Sequence, residues 1–403
     1  MNVTSIISAI GNNNSIYPLM LRDCGIENPA KVYISRKENL KESKIMAKDA
    51  TRERFIEEYA TSAIWLGGIP AVEYCANKII KKKGYNNGVS MELFKKDSYQ
   101  GIDYNIQKFK NLAPEAVKDL QKVKANKKTF EKLIAGKFAA AIIIPTTLMG
   151  FVLPKLNFAL TRKIKDDRKK PETTKSKGKE VSFGRSFATA IANMNTVDKM
   201  ALTDCGLTVG RVSTSRNKEE GYTNGFRMAG SMFLNYVAPK YIARGLDTLA
   251  NNMYKINVDL DPLVLDSKKF IKAVKDNTFE LPKSGEAKDM LDFLDTKPKS
   301  LFAQFAQKSG KVSYLKNGVR DPRKYVDIED LAKFRGEFDT FIQSAKKSGN
   351  LEKFAKKAKF VKSANIIANV ALSSTMLAVA LPKVQYQFVK LITGKFSDPG
   401  LKD

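Results

Sequence analysis

The spacing of hydrophobic residues predicts helices along most of the chain. Between residues 102 and 137, apolar side chains recur every three or four positions among Lys and Glu, which is typical of a helix with one buried and one solvated face. Residues 48–82 begin highly charged and become apolar, and Pro70 should kink or interrupt that helix because proline cannot donate a helical hydrogen bond. Alternating β-branched segments are scarce. The predicted fold class is therefore mainly α.

Two longer apolar runs, residues 138–154 and 364–382, carry no charge at all. Crossing a bilayer takes about 20 apolar residues, with a lower limit near 17. Weaker apolar stretches precede each run, at 59–72 and 228–239. If only the two strong runs crossed, Lys and Arg would be dense on both sides of the membrane, against the usual asymmetry. Two arrangements avoid this conflict: each strong run inserts as a hairpin with its weaker partner, or the runs are buried core helices that at most dock on a membrane surface.

The chain also resembles itself at four places in the same order. Residues 9–26 (AIGNNNSIYPLMLRDCGI) align without a gap with residues 190–207 (AIANMNTVDKMALTDCGL). Further matches pair residues 31–36 with 211–216, Pro70 with Pro239, and the Leu-Pro-Lys triplet at 153–155 with that at 381–383. Such self-similarity predicts two pseudo-repeated helical units that arose by internal duplication. The offset between copies changes from 181 to 169 and then to 228 residues, which predicts a net insertion in the second copy.

This repeat predicts a division of the chain into three segments. The first copy is residues 1–164, and the second is residues 186–403 with the insertion at about 257–330. Between them, residues 165–185 are predicted to form a flexible basic linker, because the stretch is rich in Lys and has few large apolar side chains.

The composition limits which partners, reactions and metal sites are expected. The sequence has 70 Lys and Arg against 42 Asp and Glu, a net charge of +28. Such an excess favours anionic partners, which here means an anionic membrane surface or bilayer, with an acidic protein or nucleic acid as the alternative. The chain has no His, the commonest general base and the commonest metal ligand. We therefore expect no enzyme activity, no cofactor and no metal site, and we identify no small-molecule substrate.

The three cysteines, Cys24, Cys75 and Cys205, are widely spaced and odd in number. This pattern favours a reducing compartment over a disulfide framework. Cys24 and Cys205 each follow an Asp, whose charge disfavours a reactive thiolate, so we interpret both as buried structural thiols.

The repeated Asp-Cys-Gly triplets predict a pair of structural ion pairs. Asp23 and Asp204 would lie at the C-terminal ends of short helices, where a negative charge opposes the helix dipole. Each aspartate then needs a cation, and the repeat supplies Arg36 for Asp23 and Arg216 for Asp204, with Lys31 and Arg211 as second choices. The alternative is that each aspartate accepts backbone hydrogen bonds in the turn. These residues are expected to stabilise the fold and not to catalyse.

A second charged group lies at the start of the helix predicted over residues 48–82. Arg52, Glu53, Arg54, Glu57 and Glu58 have the spacing of ion pairs on an exposed helix face, which is how we interpret them.

Together these features favour a duplicated helical protein that is associated with the membrane, has cytoplasmic exposure, and acts by binding or scaffolding. The alternative is a soluble, basic, helical protein of the cytoplasm that binds nucleic acid or an acidic partner.

Overall fold

The computed structural model describes residues 3–11, 20–95, 97–166, 196–254, 256 and 259–401. From residue 167 onward, the predicted linker at 165–185 lies outside the described residues. Part of the first short match of the repeat, residues 12–19 and 190–195, also lies outside them.

The prediction of a mainly helical protein is confirmed. The described residues form no strand, and the only β-type pairing among them is one isolated antiparallel bridge between Tyr314 and Arg320. Up to residue 166 the helices are α1 (Val3–Gly11), α2 (Asn28–Asn39), α3 (Lys44–Ala63), α4 (Ile69–Lys82), α5 (Ile102–Phe109), α6 (Pro114–Ala125), α7 (Lys127–Thr147) and α8 (Leu153–Asp166). From residue 196 they are α9 (Thr196–Ser213), α10 (Lys218–Met232), α11 (Ala238–Tyr254), α12 (Pro262–Leu265), α13 (Lys268–Lys275), α14 (Ala287–Thr296), α15 (Leu301–Lys308), α16 (Ile328–Lys347), α17 (Leu351–Thr375) and α18 (Leu381–Thr393).

Four pairs of these helices are joined by a single wide π-helical turn. The turns are Ile64–Gly68 between α3 and α4, Leu148–Val152 between α7 and α8, Phe233–Val237 between α10 and α11, and Met376–Ala380 between α17 and α18. In each, the residue after the turn donates its N–H to the carbonyl five residues back, and the next residue is a proline. A proline lacks the N–H of a regular helix and its ring clashes with the carbonyl four residues earlier, and a wider turn relieves both problems. The sequence predicts that Pro70 kinks or interrupts its helix. In the structure Pro70 does not interrupt the helix but follows a π turn within it.

The described chain divides into two compact units, each assembled from three separate segments. The first, which we call the core unit, comprises Met1–Gly11, Asn77–Ile134 and Gly245–Ile367. The second, which we call the ionic unit, comprises Asn12–Ala76, Ala135–Arg244 and Ala368–Asp403. Neither unit coincides with a predicted copy of the repeat, so the division at residues 164 and 186 stays a prediction about how the chain arose.

The core unit contains a large phenylalanine-rich interior. Phe338 is fully buried, and its ring centroid lies 5.0–5.8 Å from those of five other phenylalanines: Phe270, Phe279, Phe302, Phe305 and Phe334. Four of these five, all except Phe334, come from residues 257–330, the predicted insertion, so that segment supplies much of this core. The buried amide of Gln100 ties residues 77–134 to it, donating to the carbonyl of Val326 at 2.8 Å and accepting from its N–H at 3.0 Å.

The ionic unit has few large apolar side chains inside. Its helices approach closely where small residues meet, above all where Gly210 of α9 crosses Gly150 in the π turn after α7. A Cβ atom placed on Gly210 would lie only 2.7 Å from the Cα of Gly150. A small apolar cluster of Met149, Leu207 and Met228 adjoins this crossing. The triplet cysteines do not form part of such a core: Cys24 is half-buried and Cys205 is exposed, so the prediction of a buried thiol was wrong for Cys205.

Two long helical stretches, Lys127–Asp166 and Leu351–Thr393, are long and apolar enough to cross a membrane. The most apolar part of each has a mean hydropathy of 1.7, and only 33% and 22% of those residues are buried. A core helix of a water-soluble protein would bury most of such a segment. The outer surfaces of these stretches therefore carry apolar side chains, among them Ile143 and Leu148.

Candidate functional site

The interior of the ionic unit holds a cluster of ion-paired side chains, which we call the buried network. It is built from α2, α3, α9, α10 and the turn between α9 and α10. Its members are Glu27, Lys31, Glu53, Arg54, Glu57, Glu58, Arg211, Arg216, Glu220 and Arg227.

Glu57 is the centre of this network because three guanidinium groups bind its carboxylate. Arg227 contacts both oxygens, with Nη2 at 2.5 Å from Oε1 and Nη1 at 3.1 Å from Oε2. Arg211 Nη1 lies 3.0 Å from Oε1, and Arg54 Nη1 lies 3.4 Å from Oε2. The three arginines come from α10, α9 and α3, so one carboxylate joins three helices.

Arg216 forms a second node. Its two terminal nitrogens each lie 2.9 Å from one oxygen of Glu53, a bidentate pair, and Nη2 is also 2.7 Å from Glu220 Oε1. The guanidinium carbon lies 4.1 Å from the centre of the Phe158 ring, within the range of a cation–π contact. Bidentate geometry and stacking both suit arginine and not lysine.

Lys31 links the network to α2. Its Nζ lies 3.3 Å from Glu27 Oε2 and 3.5 Å from Glu58 Oε2. Two carboxylates therefore hold the ammonium group of Lys31 in place.

Polar residues of α2 and α18 extend the network. The Tyr386 hydroxyl lies 2.9 Å from Asp398 Oδ2 and 3.0 Å from the Ser35 hydroxyl, and all three side chains belong to the ionic unit. Asn39 donates to the same Asp398 oxygen at 3.0 Å.

Two small cavities of about 60 Å³ each adjoin the network. The first is lined by equal numbers of basic and acidic side chains, with Arg216, Glu53 and Asp398 among them. The second, which we call the cationic cavity, is lined by four basic residues and one acidic residue: Lys31, Arg54, Arg211, Arg227 and Glu58.

The structure places the four residues predicted to form structural ion pairs in different environments. Asp23 lies in a π-helical turn, Leu21–Glu27, and its carboxylate is 3.3 Å from Arg22 Nε. Arg36 is exposed on α2. Within the described residues neither Asp23–Arg36 nor Asp204–Arg216 is an ion pair, so this expectation is corrected.

Helix geometry explains the correction. The triplets do not end short helices: Asp204 lies in the middle of α9, and Asp23 lies in helical backbone that continues to Asn39. At about 1.5 Å per residue, Asp23 and Arg36 are about 20 Å apart along that helix. The distance along α9 from Asp204 to the end of the helix is already about 13 Å, and Arg216 lies beyond that end.

Asp204 has a different partner. Tyr236 donates its hydroxyl hydrogen to Asp204 Oδ2 at 2.6 Å.

Sequence reasoning found most members of the network without recognising their role. Glu53, Arg54, Glu57 and Glu58 were interpreted as an exposed face, yet Arg54 is only 8% exposed and pairs with both Glu57 and Glu58. The signal that was available is their position: the charges directly precede the apolar stretch 59–72 on the same helix. Arg216 was named as a structural cation, but for the wrong carboxylate.

Within the described part of the chain, no three His, Cys, Asp or Glu side chains are grouped as a metal site would require. No family model, curated protein or solved structure matches this chain. The functional argument therefore depends on the geometry of the ionic unit.

Proposed function

We propose that this protein is an integral membrane protein whose ionic unit lies in the bilayer and binds a ligand through the buried network. The observation that carries the proposal is the inverted burial of the ionic unit. Of its described residues, 20 buried ones are polar or charged and 14 are hydrophobic, while 23 large hydrophobic side chains are exposed. Water penalises such a surface, whereas acyl chains solvate it.

The helices of this unit support the same proposal. Most residues of the two candidate spans, Lys127–Asp166 and Leu351–Thr393, belong to this unit. The close crossing of Gly150 and Gly210 is of the kind that holds helices together in lipid, where burial of large apolar side chains gives no advantage over contact with acyl chains.

The buried network supports a binding role in addition to a structural one. Ionisable side chains inside a membrane domain are costly, and where they occur they mark ligand, ion or proton sites. Here at least nine such groups are gathered beside two cavities. A scaffold that only needed to hold its helices together could use apolar or small residues, as it does at Gly210.

The internal duplication is part of this proposal. It is supported by the matched prolines, since Pro70 and Pro239 each follow a π turn in a long helix, and so do Pro154 and Pro382. We propose that the two copies arose from one ancestral helical unit and that the second gained the phenylalanine-rich segment. Superposing residues 20–166 on 201–393 without residues 257–330 tests this, because Pro70 must then coincide with Pro239, and Pro154 with Pro382.

Membrane fractionation tests the main proposal. Membranes from expressing cells are washed first with concentrated salt and then with alkaline carbonate. The full-length protein is followed in the pellet and the supernatant. We expect the protein to stay in the pellet after both washes and to require detergent for release. Release by salt alone would contradict the proposal and would favour the soluble, polyanion-binding alternative.

A further inference from the structure

The lining of the cationic cavity is mainly positive. Lys31, Arg54, Arg211 and Arg227 line it, and Glu58 is the one carboxylate among the lining residues. Glu27 and Glu57 pair with these cations, and Asp398 accepts a hydrogen bond from Tyr386, but none of these three carboxylates lines the cavity. An anion in the cavity would therefore meet four cationic side chains and one carboxylate.

These cations lie away from water. Arg54, Arg211 and Arg227 are each at least nine-tenths buried, with exposed fractions of 8%, 6% and 9%. Little water screens buried cations from a further anion, so an anion in the cavity would lower the free energy of the folded state.

Arg211 leaves a donor free beside this space. Its Nη1 binds Glu57 and its Nη2 donates to the Thr61 hydroxyl at 2.9 Å, but its Nε is buried without a hydrogen-bond partner. Most buried donors have a partner, and one that does not marks a position where another group is expected to bind. The hydroxyl of Ser231 and the amide of Gln385 add neutral donors to the lining.

The size of the cavity limits what can bind. A buried water takes about 10–15 Å³ of such space, so about 60 Å³ holds a group of roughly four to six heavy atoms. A tetrahedral oxyanion meets this limit, and its several oxygens match the fork of donors that each guanidinium presents.

We propose that the cationic cavity binds a phosphate-type oxyanion, either as free inorganic phosphate or as the phosphate group of a lipid. The inference deepens the proposed binding function by naming the ligand class. Leu377 and Leu381 line the same cavity, so an acyl-bearing phosphate also finds apolar contacts there.

The test is thermal unfolding of the purified full chain in a neutral detergent, followed by the fluorescence of Trp65, the single tryptophan of the sequence and a residue of the ionic unit. Inorganic phosphate, dihexanoyl phosphatidic acid and sodium chloride are titrated separately at constant ionic strength. We expect Tm to rise with the logarithm of the phosphate or phosphatidic acid concentration once that concentration exceeds Kd, since a ligand of the folded state stabilises it in this proportion. A rise with both supports free phosphate as a ligand, and a rise with phosphatidic acid alone supports the lipid. No rise with either, or the same rise with chloride, would overturn the inference.

Variants of the lining residues test whether the phosphate-type ligand binds in the cationic cavity. Arg211→Lys keeps the charge but removes the free Nε donor, and we expect it to weaken phosphate-type binding by at least about tenfold, the scale of one lost charge-assisted hydrogen bond. Ser231→Ala removes a neutral donor and should weaken binding less. Lys218→Gln, an exposed cation on α10, is the matched control and should bind as the wild type does. Wild-type affinity in a folded Arg211→Lys variant would also overturn the inference, and it would leave the fractionation result untouched.

Discussion

The two units of this protein solve the same folding problem with opposite distributions of side chains. Among the described residues, the core unit buries 36 hydrophobic and six polar or charged residues. The ionic unit buries 14 hydrophobic and 20 polar or charged residues. Exposed large hydrophobic residues number 11 in the core unit and 23 in the ionic unit. One polypeptide thus contains one unit typical of a water-soluble domain and one with the reverse pattern.

The proposed membrane location gives a physical reason for this difference, because the medium around a unit decides which interactions stabilise it. In water, removing apolar area is worth about 25 cal/mol per Å², so the packing of Phe338 and its neighbours can hold the core unit together. In lipid that advantage is absent, and helices must be joined by close backbone contact and by polar pairs. The crossing at Gly210 and the carboxylate of Glu57 are interactions of this second kind.

The largest expected effect comes from breaking the centre of the buried network. Glu57→Gln leaves Arg211 and Arg227 buried without their carboxylate, which should destabilise the ionic unit by about 3–5 kcal/mol. Trp65 fluorescence during denaturant unfolding in detergent measures this. The matched change in the core unit, Glu352→Gln, removes an exposed pair with Lys275 and should cost no more than about 1 kcal/mol. Equal effects of the two changes would remove the contrast between the units.

An exposed leucine should respond differently to lysine in the two units. Leu148, 40% exposed, lies in the ionic unit, and Leu112, 53% exposed, lies in the core unit. In lipid, Leu148→Lys is expected to cost about 2.5–3.5 kcal/mol and to reduce the amount of carbonate-resistant protein in membranes. Leu112→Lys faces water and should leave that amount unchanged. If Leu148→Lys also accumulates normally, the exposed apolar face of the ionic unit is not in contact with lipid.

The glycine crossing gives a smaller effect. Gly210→Ala places a Cβ against the backbone of Gly150, so two helices must separate, at a cost of about 1–3 kcal/mol. Gly136→Ala in α7 is the control, since a Cβ there meets nothing within 4 Å. It should stabilise that helix by about 0.5–1 kcal/mol. Denaturant unfolding followed by Trp65 separates the two, and a Gly210→Ala protein as stable as Gly136→Ala would contradict the close crossing.

The smallest effect is a pH dependence in the core unit. Burial, together with the charge of Asp259, raises the pKa of Glu337 to about 7. An acid whose pKa is raised on folding favours the folded state less as it ionises, so the stability of this unit should fall as pH rises from about 4.5 to 7. Glu337→Gln should remove that slope and add about 1 kcal/mol at pH 8, after allowance for solvent screening, with little change at pH 4. Unfolding of the core unit at each pH is followed by near-ultraviolet circular dichroism. If stability depends on pH in the variant as it does in the wild type, groups other than Glu337 cause that dependence.

The local features of the sequence predicted the helices well. The spacing of apolar residues over 102–137 corresponds to α5, α6 and the start of α7, and Pro114 begins α6. The uncharged runs correspond to the two candidate spans. The prediction went wrong where it inferred a three-dimensional pairing from distance along the chain, as for Asp204 and Arg216.

The sequence by itself determined what depends on neighbours along the chain: helical backbone, apolar length, net charge, the absence of histidine and the prolines that require a wider turn. The tertiary structure alone decided which carboxylate each arginine binds, and whether a charged helix face is inside or outside. Arg216 pairs with Glu53, 163 residues away, because α3 and the turn after α9 pack together. Periodicity identifies a helical face but not the side chains opposite it, and a buried ion pair has the same local spacing as an exposed one. For that reason the composition of this chain pointed to a membrane, while the buried network became visible only once its helices were placed side by side.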